Sequence, residues 1–453
     1  MSQTTFSILE AVLISSRSEG NDVEIDIRSN LVEFQIFEHL AKPYIDATII
    51  FVDDFGMRDT LSMAGTEKFR ITLGSPDDLN EPTFTKFFFV GKVNSTRKMN
   101  ERSEIISLNL IEDHLYIDSI KQLSRSYTAP IEEIIEQICS IELGKTVVRR
   151  DFEGTAQGDR KIIIPYMSPL QAVSWIKDRA TTRTGGPIYL RSILWSNNLI
   201  LSDFDSLMKV DVVNKKFPLR YSDAISSVDA KDDLKRPYYS VISYNEANAD
   251  NMLSQYENGN VGSYYSNLDA GTGISSGAHI SIRDIVDEFY STDLISSDTV
   301  QTIYDPTLKI GDKLSDEYNS LNIFQITSSN TYNQFSSYHD EAVIVDQDKN
   351  IIESKLKVKN KIIRSILKKN ILDIGIEGRL IFSAKISTGN RIRVLFLNSA
   401  AGSENKDAIE QIDKRKSGDY FILAINHIFK DNTHFSQLRL TKIGELPRDF
   451  AIE

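Results

Sequence analysis

Phe421-Ile422-Leu423-Ala424-Ile425-Asn426-His427-Ile428-Phe429, the turn Lys430-Asp431-Asn432-Thr433, then Ser436-Gln437-Leu438-Arg439-Leu440 is the stretch that decides the fold. Two apolar-rich runs flank a short polar turn. In the second run side chains alternate with period two, the spacing that turns one face of a strand inward. The pair reads as an antiparallel hairpin. Upstream of it, Ile371-Leu372-Asp373-Ile374, Ser383-Ala384-Lys385-Ile386 and Arg391-Ile392-Arg393-Val394-Leu395-Phe396 read as further strands. The other end of the chain has the same character. Val23 to Arg28, Val32 to Phe37, Ala47 to Val52, Glu67 to Leu73, Phe87 to Val93 and Glu104 to Leu110 are short strands separated by turn signals. Such spacing predicts an antiparallel barrel or sandwich.

Helices are expected between these two β-rich ends. Pro130 opens Ile131-Glu132-Glu133-Ile134-Ile135-Glu136-Gln137-Ile138, with apolar residues at helical spacing. Ser168 is placed to cap a second helix through Leu170, Ala172, Val173 and Ile176, with Gly185-Gly186-Pro187 expected to stop it. Ile188 to Ser192 and Leu199 to Ser202 form a hairpin around Ser196-Asn197-Asn198. From about Asn245 to Gly277 the composition shifts to Asn, Ser, Gly and Tyr, which reads as a surface excursion outside the core. Arg283 to Phe289 fits a short helix. A basic helix is expected from about Glu353 to Lys369, with Lys355, Lys357, Lys359, Lys361, Arg364, Lys368 and Lys369 around an apolar stripe of Val358, Ile362, Ile363, Ile366 and Leu367.

Composition narrows the chemistry. The 453 residues carry a formal net charge of -12, which disfavours nucleic acid as a tight partner. A single cysteine, Cys139, excludes an intrachain disulfide and reads as a small buried hydrophobe in an amphipathic run. The first residues lack the pattern of a signal peptide, and no window is apolar enough for a membrane span. Phosphate-loop, nucleophile-elbow and zinc-helix motifs are absent. Asp346-Gln347-Asp348-Lys349-Asn350 starts like a calcium loop but has Ile351 at the glycine position and Lys357 at the closing glutamate position, so a polar turn is expected. His427 and His434 flank the final turn and can face each other. Without a third ligand they read as solvated turn residues. Neither a cofactor nor a metal is expected. Trp175 and Trp195 read as packing anchors. The basic helix is the one local departure from the acidic average; its ordinary explanation is a solvated face. Its sharper explanation is a docking surface for an acidic neighbouring subunit.

Four stretches carry a resemblance. Met63 to Leu73, Val90 to Thr96 with Leu108 to Glu112, Ile164-Pro165-Tyr166-Met167-Ser168-Pro169-Leu170-Gln171-Ala172-Val173 with Ile188 to Leu190 and Trp195, and Ile374 to Ile443 occur in the order found in one family. The chain resembles the baseplate hub proteins of T-even-type contractile-tailed phages, and more distantly the hub part of type VI secretion spike proteins. The resemblance implies a mainly β fold, with two similar antiparallel β-barrel hub domains, helices and an inserted irregular domain. Residues 1–118 with 215–247 are then the first barrel, and 119–214 with 353–445 the second barrel with its helices. Residues 248–352 are the peripheral insertion and 446–453 a tail. The implied role is that of a virion structural subunit, made in the host cytoplasm, with no catalysis. As a homotrimer it forms a pseudo-sixfold ring between the sixfold tail tube and the threefold central spike. Tube protein, spike protein and other baseplate subunits are the implied partners, while DNA or the tape-measure protein only passes through the channel. An acidic channel lining is expected from the net charge. The residues expected at the interfaces are Lys355, Lys357, Lys359, Lys361, Arg364 and Lys368 of the basic helix, and His427 and Arg439 of the terminal hairpin. Two other classes remain open at this point. A baseplate-associated cell-wall hydrolase needs a clustered acid pair in a cleft, and a trimeric receptor- or carbohydrate-binding tail protein needs an exposed aromatic groove.

Overall fold

A computed structural model describes residues 7–16, 22–54, 56–57, 67–74, 84–101, 103–156, 160–221, 239–247, 261–269, 275–285, 309–314, 317–327, 359–364, 367–368, 371–378, 384–396, 415–430 and 433–444, with a few isolated positions between them. The N-terminal strands are β1 (Ser7–Ser16), β2 (Asp22–Asp26), β3 (Leu31–His39), β4 (Asp46–Asp53), β5 (Lys68–Gly74), β6 (Phe84–Lys98) and β7 (Glu104–Ile111). A mixed region follows: α1 (Asp113–Ile120), β8 (Leu123–Ala129), α2 (Ile131–Glu142), β9 (Val147–Arg149), β10 (Arg160–Met167), α3 (Pro169–Lys177), β11 (Ile188–Arg191), β12 (Leu199–Asp203) and α4 (Phe204–Lys209). Next come β13 (Leu219–Tyr221), β14 (Val241–Ala247), β15 (Gly262–Asp269), β16 (Ser275–Ser281), β17 (Lys309–Ile310), β18 (Lys313–Leu314) and β19 (Leu321–Thr327). The chain returns to strands in β20 (Ile371–Glu377), β21 (Arg391–Phe396), β22 (Gly418–Lys430) and β23 (Thr433–Gly444). The protein is mainly β, as expected.

The terminal hairpin is the hinge of the architecture. β22 pairs with β23 on one side and with β3 on the other, so Ala424 lies opposite His39 and Lys430 opposite Glu33. This joins the two β-rich ends into one 13-stranded sheet of order β14-β20-β23-β22-β3-β4-β7-β6-β5-β1-β2, with β21 on β22 and β13 on β21. Each end curls over its own core. Phe34 of β3 meets Phe69, Phe88 and Phe429 at ring separations of 5.7, 6.4 and 5.9 Å. Phe429 therefore plugs the C-terminal hairpin into the N-terminal core; burying such a ring stabilises by roughly 1.5–3 kcal/mol. The other core gathers Ile374, Ile392, Val394, Ile422, Leu438 and Leu440. There a parallel bridge between Arg220 and Ser240 brings β13 beside the start of β14.

The helices bury one face each, for the reasons read from their spacing. Ile131, Ile134, Ile135, Ile138 and Cys139 of α2 are all buried, and burial pushes the Cys139 thiol up to about 12. Ser168 caps α3 in a reciprocal capping box with Gln171. α3 stops at Lys177, short of the Gly185-Gly186-Pro187 stop read from the sequence, because Arg179 to Thr182 already turn back. Trp195 packs between the two β cores and donates its indole N–H to the Ile386 carbonyl at 2.9 Å. No helix among the described residues is long and apolar enough to cross a membrane.

The Asn245–Gly277 stretch needs correction. It holds the end of β14, all of β15 and the start of β16. β15 and β16 form with β19 the three-stranded sheet β16-β15-β19, and Val261 and Tyr265 share a buried cluster with Phe204, Ile363 and Phe421. Tyrosine supplies the burial that aliphatic residues usually signal, which is why composition alone reads as loop. Residues 282–285 are helical, as expected for the start of Arg283–Phe289; the rest of that helix and the Asp346–Asn350 turn lie outside the described residues.

Candidate functional site

Strand alternation leaves one face of the sheet open to solvent. β3 turns Phe34, Ile36 and Glu38 inward and Gln35 and Phe37 outward, while β23 turns Leu438 and Leu440 inward and Gln437 and Arg439 outward. The outward side chains of β14, β20, β23, β22, β3, β4 and β7 line a groove of about 900 Å³. Its lining is mixed: Phe37, Tyr244, Ile374, Ile425 and Leu438 lie beside Asn109, Asn245, Asn426 and Gln437 and two ion pairs. Lys42 meets Asp46 at 3.1 Å, and Arg439 holds Asp373 in a fork at 2.9 and 3.1 Å.

His39 marks the basic end of this groove. Its imidazole pKa is lowered by burial, and further by Lys42, Arg439, Lys177 and Lys368. These four cations come from the β3–β4 turn, β23, α3 and the basic helix. The structure thus brings together, around one side chain, the two segments singled out from the sequence. The remaining expected residues divide. Residues 356–357 and 359–364 are helical, and Ile362, Ile363 and Leu367 are buried as the apolar stripe predicts. Lys361 and Lys368 are exposed, Lys357 is half-buried, and Arg364 is bound to Asp178 of the α3 C-cap at 2.8 Å. Lys355 lies outside the described residues.

Two interface expectations are corrected. Lys359 is buried, because the helix packs directly on Gly185, where an added Cβ would lie 2.7 Å from the Lys359 Cβ. His427 is fully buried, so its side chain faces the interior and not another subunit. His427 and His434 do face each other, with Nδ1 and Nε2 3.3 Å apart, but neither is solvated. Ser436 Oγ lies 3.1 Å from His434 Nε2, and Phe429 stacks on the His434 ring at 4.4 Å. Glu38, inward on β3, brings Oε1 to 3.5 Å from His427 Nε2 and accepts the Leu194 N–H at 2.6 Å. Burial, with His427 adding to it, holds His434 well below the ordinary histidine value. Among the described residues no group of three His, Cys, Asp or Glu side chains is placed to hold a metal.

A second feature escaped the sequence reading. Strand β6 keeps pairing with β7 out to Lys98, but its pairing with β5 covers only Phe84 to Phe89. Every residue from Gly91 to Lys98 is exposed. The result is a long strand whose outer half extends, exposed, past its pairing with β5. The signal was present in Lys92-Val93-Asn94-Ser95-Thr96-Arg97-Lys98, where Val93 alone interrupts a polar run with basic ends, the composition of a strand edge.

No family profile and no curated protein sequence matches the chain. Solved structures do. The tail protein from Neisseria meningitidis MC58 superposes with a TM-score of 0.50 at 12% identity, covering 96% of this chain and 96% of that one. The 43 kDa tail protein of prophage MuSo2 from Shewanella oneidensis superposes with a TM-score of 0.52 at 11% identity, covering 96% of this chain and 98% of that one. The type VI secretion component c3393 of E. coli gives 0.42 at 9% identity over 94% of this chain and 76% of that one, a likeness on which nothing below rests. The sequence resemblance is thereby shown at the level of the fold: over 96% of its length the chain superposes on these two tail proteins.

Proposed function

We propose that the protein is a structural hub subunit of a phage-type tail baseplate, forming a homotrimeric pseudo-sixfold ring between a sixfold tail tube and a threefold central spike. The observation that carries this reading is the exposed end of the large sheet. The path β14-β20-β23-β22-β3-β4-β7-β6 runs across the groove to the outer half of β6, where Gly91 to Lys98 are exposed and extend past the pairing with β5. An exposed strand is a template for another chain. Docking β6 of one copy on a different strand of the next is a head-to-tail contact, and head-to-tail contacts repeated by rotation close a ring. The groove then faces the channel. Its lining mixes apolar side chains with the Lys42–Asp46 and Arg439–Asp373 ion pairs, so those charges are matched where net charge suggested an acidic lining. The basic cluster around His39 and the exposed Lys361 and Lys368 are left for acidic neighbours such as spike, tube or other baseplate subunits. The division into two hub barrels, a peripheral insertion from 248 to 352 and a tail from 446 to 453 belongs to the same proposal, as does residence in the virion.

The groove supports binding over catalysis. Its half-buried carboxylates Asp46 and Asp373 are each held by a cation, whereas a glycosidase needs one acid kept protonated beside an ionised partner.

Proline scanning of the β6 edge tests the ring. Past the bulge at Asn94 the β6–β7 register is regular and successive N–H groups point to opposite edges, so of Arg97→Pro and Lys98→Pro one removes an outward amide and the other an amide of the β6–β7 ladder. The outward variant is expected to keep the native circular dichroism spectrum and lose self-association. Unchanged association in both variants would remove β6 from the interface.

A further inference from the structure

Beneath the turn joining β3 to β4 lies a separate cleft of about 340 Å³. Its walls are mostly apolar, formed by Tyr44, Leu115, Leu170, Val173 and Leu190. Lys177, in the last turn of α3, closes one side and is 6% exposed. Its ammonium reaches only the Ala41 carbonyl, at 3.5 Å, and no carboxylate among the described residues lies within ion-pair distance of it.

The carboxylates nearby are already engaged. Asp178, next in sequence, is held by Arg364 at 2.8 Å. Asp118, which also lines the cleft, accepts the Ser168 hydroxyl at 3.0 Å and the Leu170 N–H at 2.6 Å. Lys42 on the rim is paired with Asp46. The carbonyl end of α3 favours a cation but supplies only about half a charge. Lys177 is therefore a buried cation with no counter-ion among the described residues, an arrangement that is unfavourable until an anion arrives. Burial is the main reason its pKa falls to about 8, with Arg364 pushing the same way and Asp178 opposing.

We propose that this cleft binds a carboxylate carried on a short aliphatic body, with Lys177 as the anchoring cation. The ammonium and carboxylate form a charge-assisted pair, and the body lies against Leu115, Leu170, Val173 and Leu190. The volume is at the small end of ligand pockets, which run from roughly 300 to 1,000 Å³, and suits an acid of about four to six carbons. The proposal does not depend on the assembly of the chain.

Two ligands distinguish where the carboxylate comes from. Hexanoate stands for a free acid, and acetyl-Leu-Glu-amide for an acidic side chain of a neighbouring protein; hexanol is the uncharged control. Binding to the full chain is read by ligand-observed NMR. At least one carboxylate is expected to bind tenfold or more tighter than hexanol. Lys177→Met, which keeps the volume, should lose that tenfold, while Lys209→Met, at an exposed lysine outside the cleft, changes it less than twofold. Only protonated Lys177 pairs with the anion, so affinity should fall about tenfold from pH 7 to pH 9. Tyr44, Asp118, Asp178, Arg364, His39 and Lys368 surround the site, and Lys177→Met isolates the part due to Lys177 itself. Binding of hexanoate alone assigns a free acid, and binding of the peptide alone a protein side chain. If neither exceeds hexanol, or if Lys177→Met binds as the wild type does, the proposal is overturned.

Discussion

Replacing Glu112 with glutamine is expected to cost about 3–5 kcal/mol of stability, the loss seen when one member of a buried ion pair is removed. Glu112 caps the entry to α1 at 4% exposure and meets Lys86 of β6, itself 2% exposed, at 2.8 Å. The carboxylate also accepts the Ile45 N–H at 2.7 Å and the Ser192 hydroxyl at 2.9 Å, while Lys86 donates to the Ile193 carbonyl at 3.1 Å. One pair thus fastens the N-terminal sheet to the β11–β12 hairpin. Burial alone raises the Glu112 pKa, but Lys86, His114 and the hydrogen bonds outweigh it and leave the carboxyl below its ordinary value. Glutamine keeps the shape and leaves the ammonium uncompensated. Adding Lys86→Met removes that stranded charge, so the double variant should be more stable than Glu112→Gln alone. Urea unfolding of the three proteins reads this directly. A single variant within 1 kcal/mol of the wild type would mean that the pair does not fasten these elements.

Acid should weaken the protein before its carboxylates titrate. His434 is kept neutral in the folded chain and gains a proton readily once unfolded. The unfolded state therefore binds more protons below about pH 6.5, and stability falls as pH drops. One such group loses about 1.4 kcal/mol per pH unit once well below its unfolded value, or about 2 kcal/mol between pH 7 and pH 5. His39, exposed on β3 but with its pKa lowered by partial desolvation and by the nearby cations, adds a smaller effect in the same direction. Asp113, whose pKa is depressed by His114 and Lys145 against the pull of burial, acts only as pH falls below about 4. Thermal unfolding from pH 7.5 to 5 should show this slope, and His434→Gln should flatten it. A flat wild-type profile, or an unchanged slope in the variant, would contradict the placement of His434 in the interior.

What the sequence made legible follows from the range of the forces involved. The terminal hairpin, β3, β4, β7, α2 and α3 are set by local alternation, helical spacing and a cap, and each lies where its pattern places it. β1 went unread because Ser7-Ile8-Leu9-Glu10-Ala11-Val12 does not alternate cleanly, and its register slips at Ile8 to Glu10. The facing of His427 and His434 was legible from the turn between them. Their burial was not, because it depends on Glu38 of β3 and on Gly378, whose missing side chain makes room for the His434 ring; an added Cβ there would lie 2.1 Å from it. Likewise the charges of the basic helix were plain, but Lys359 is covered by a glycine turn far away in sequence. The meeting of Lys368 and Arg439 at His39 depends on β22 pairing with β3, a contact that no local pattern encodes.

The measurement closest to the central claim is the solution mass of the full chain by light scattering, alone and mixed with its spike protein. The hub reading predicts three times the 51.3 kDa chain mass, either alone or once the spike is present. A monomer that persists in both conditions would contradict it.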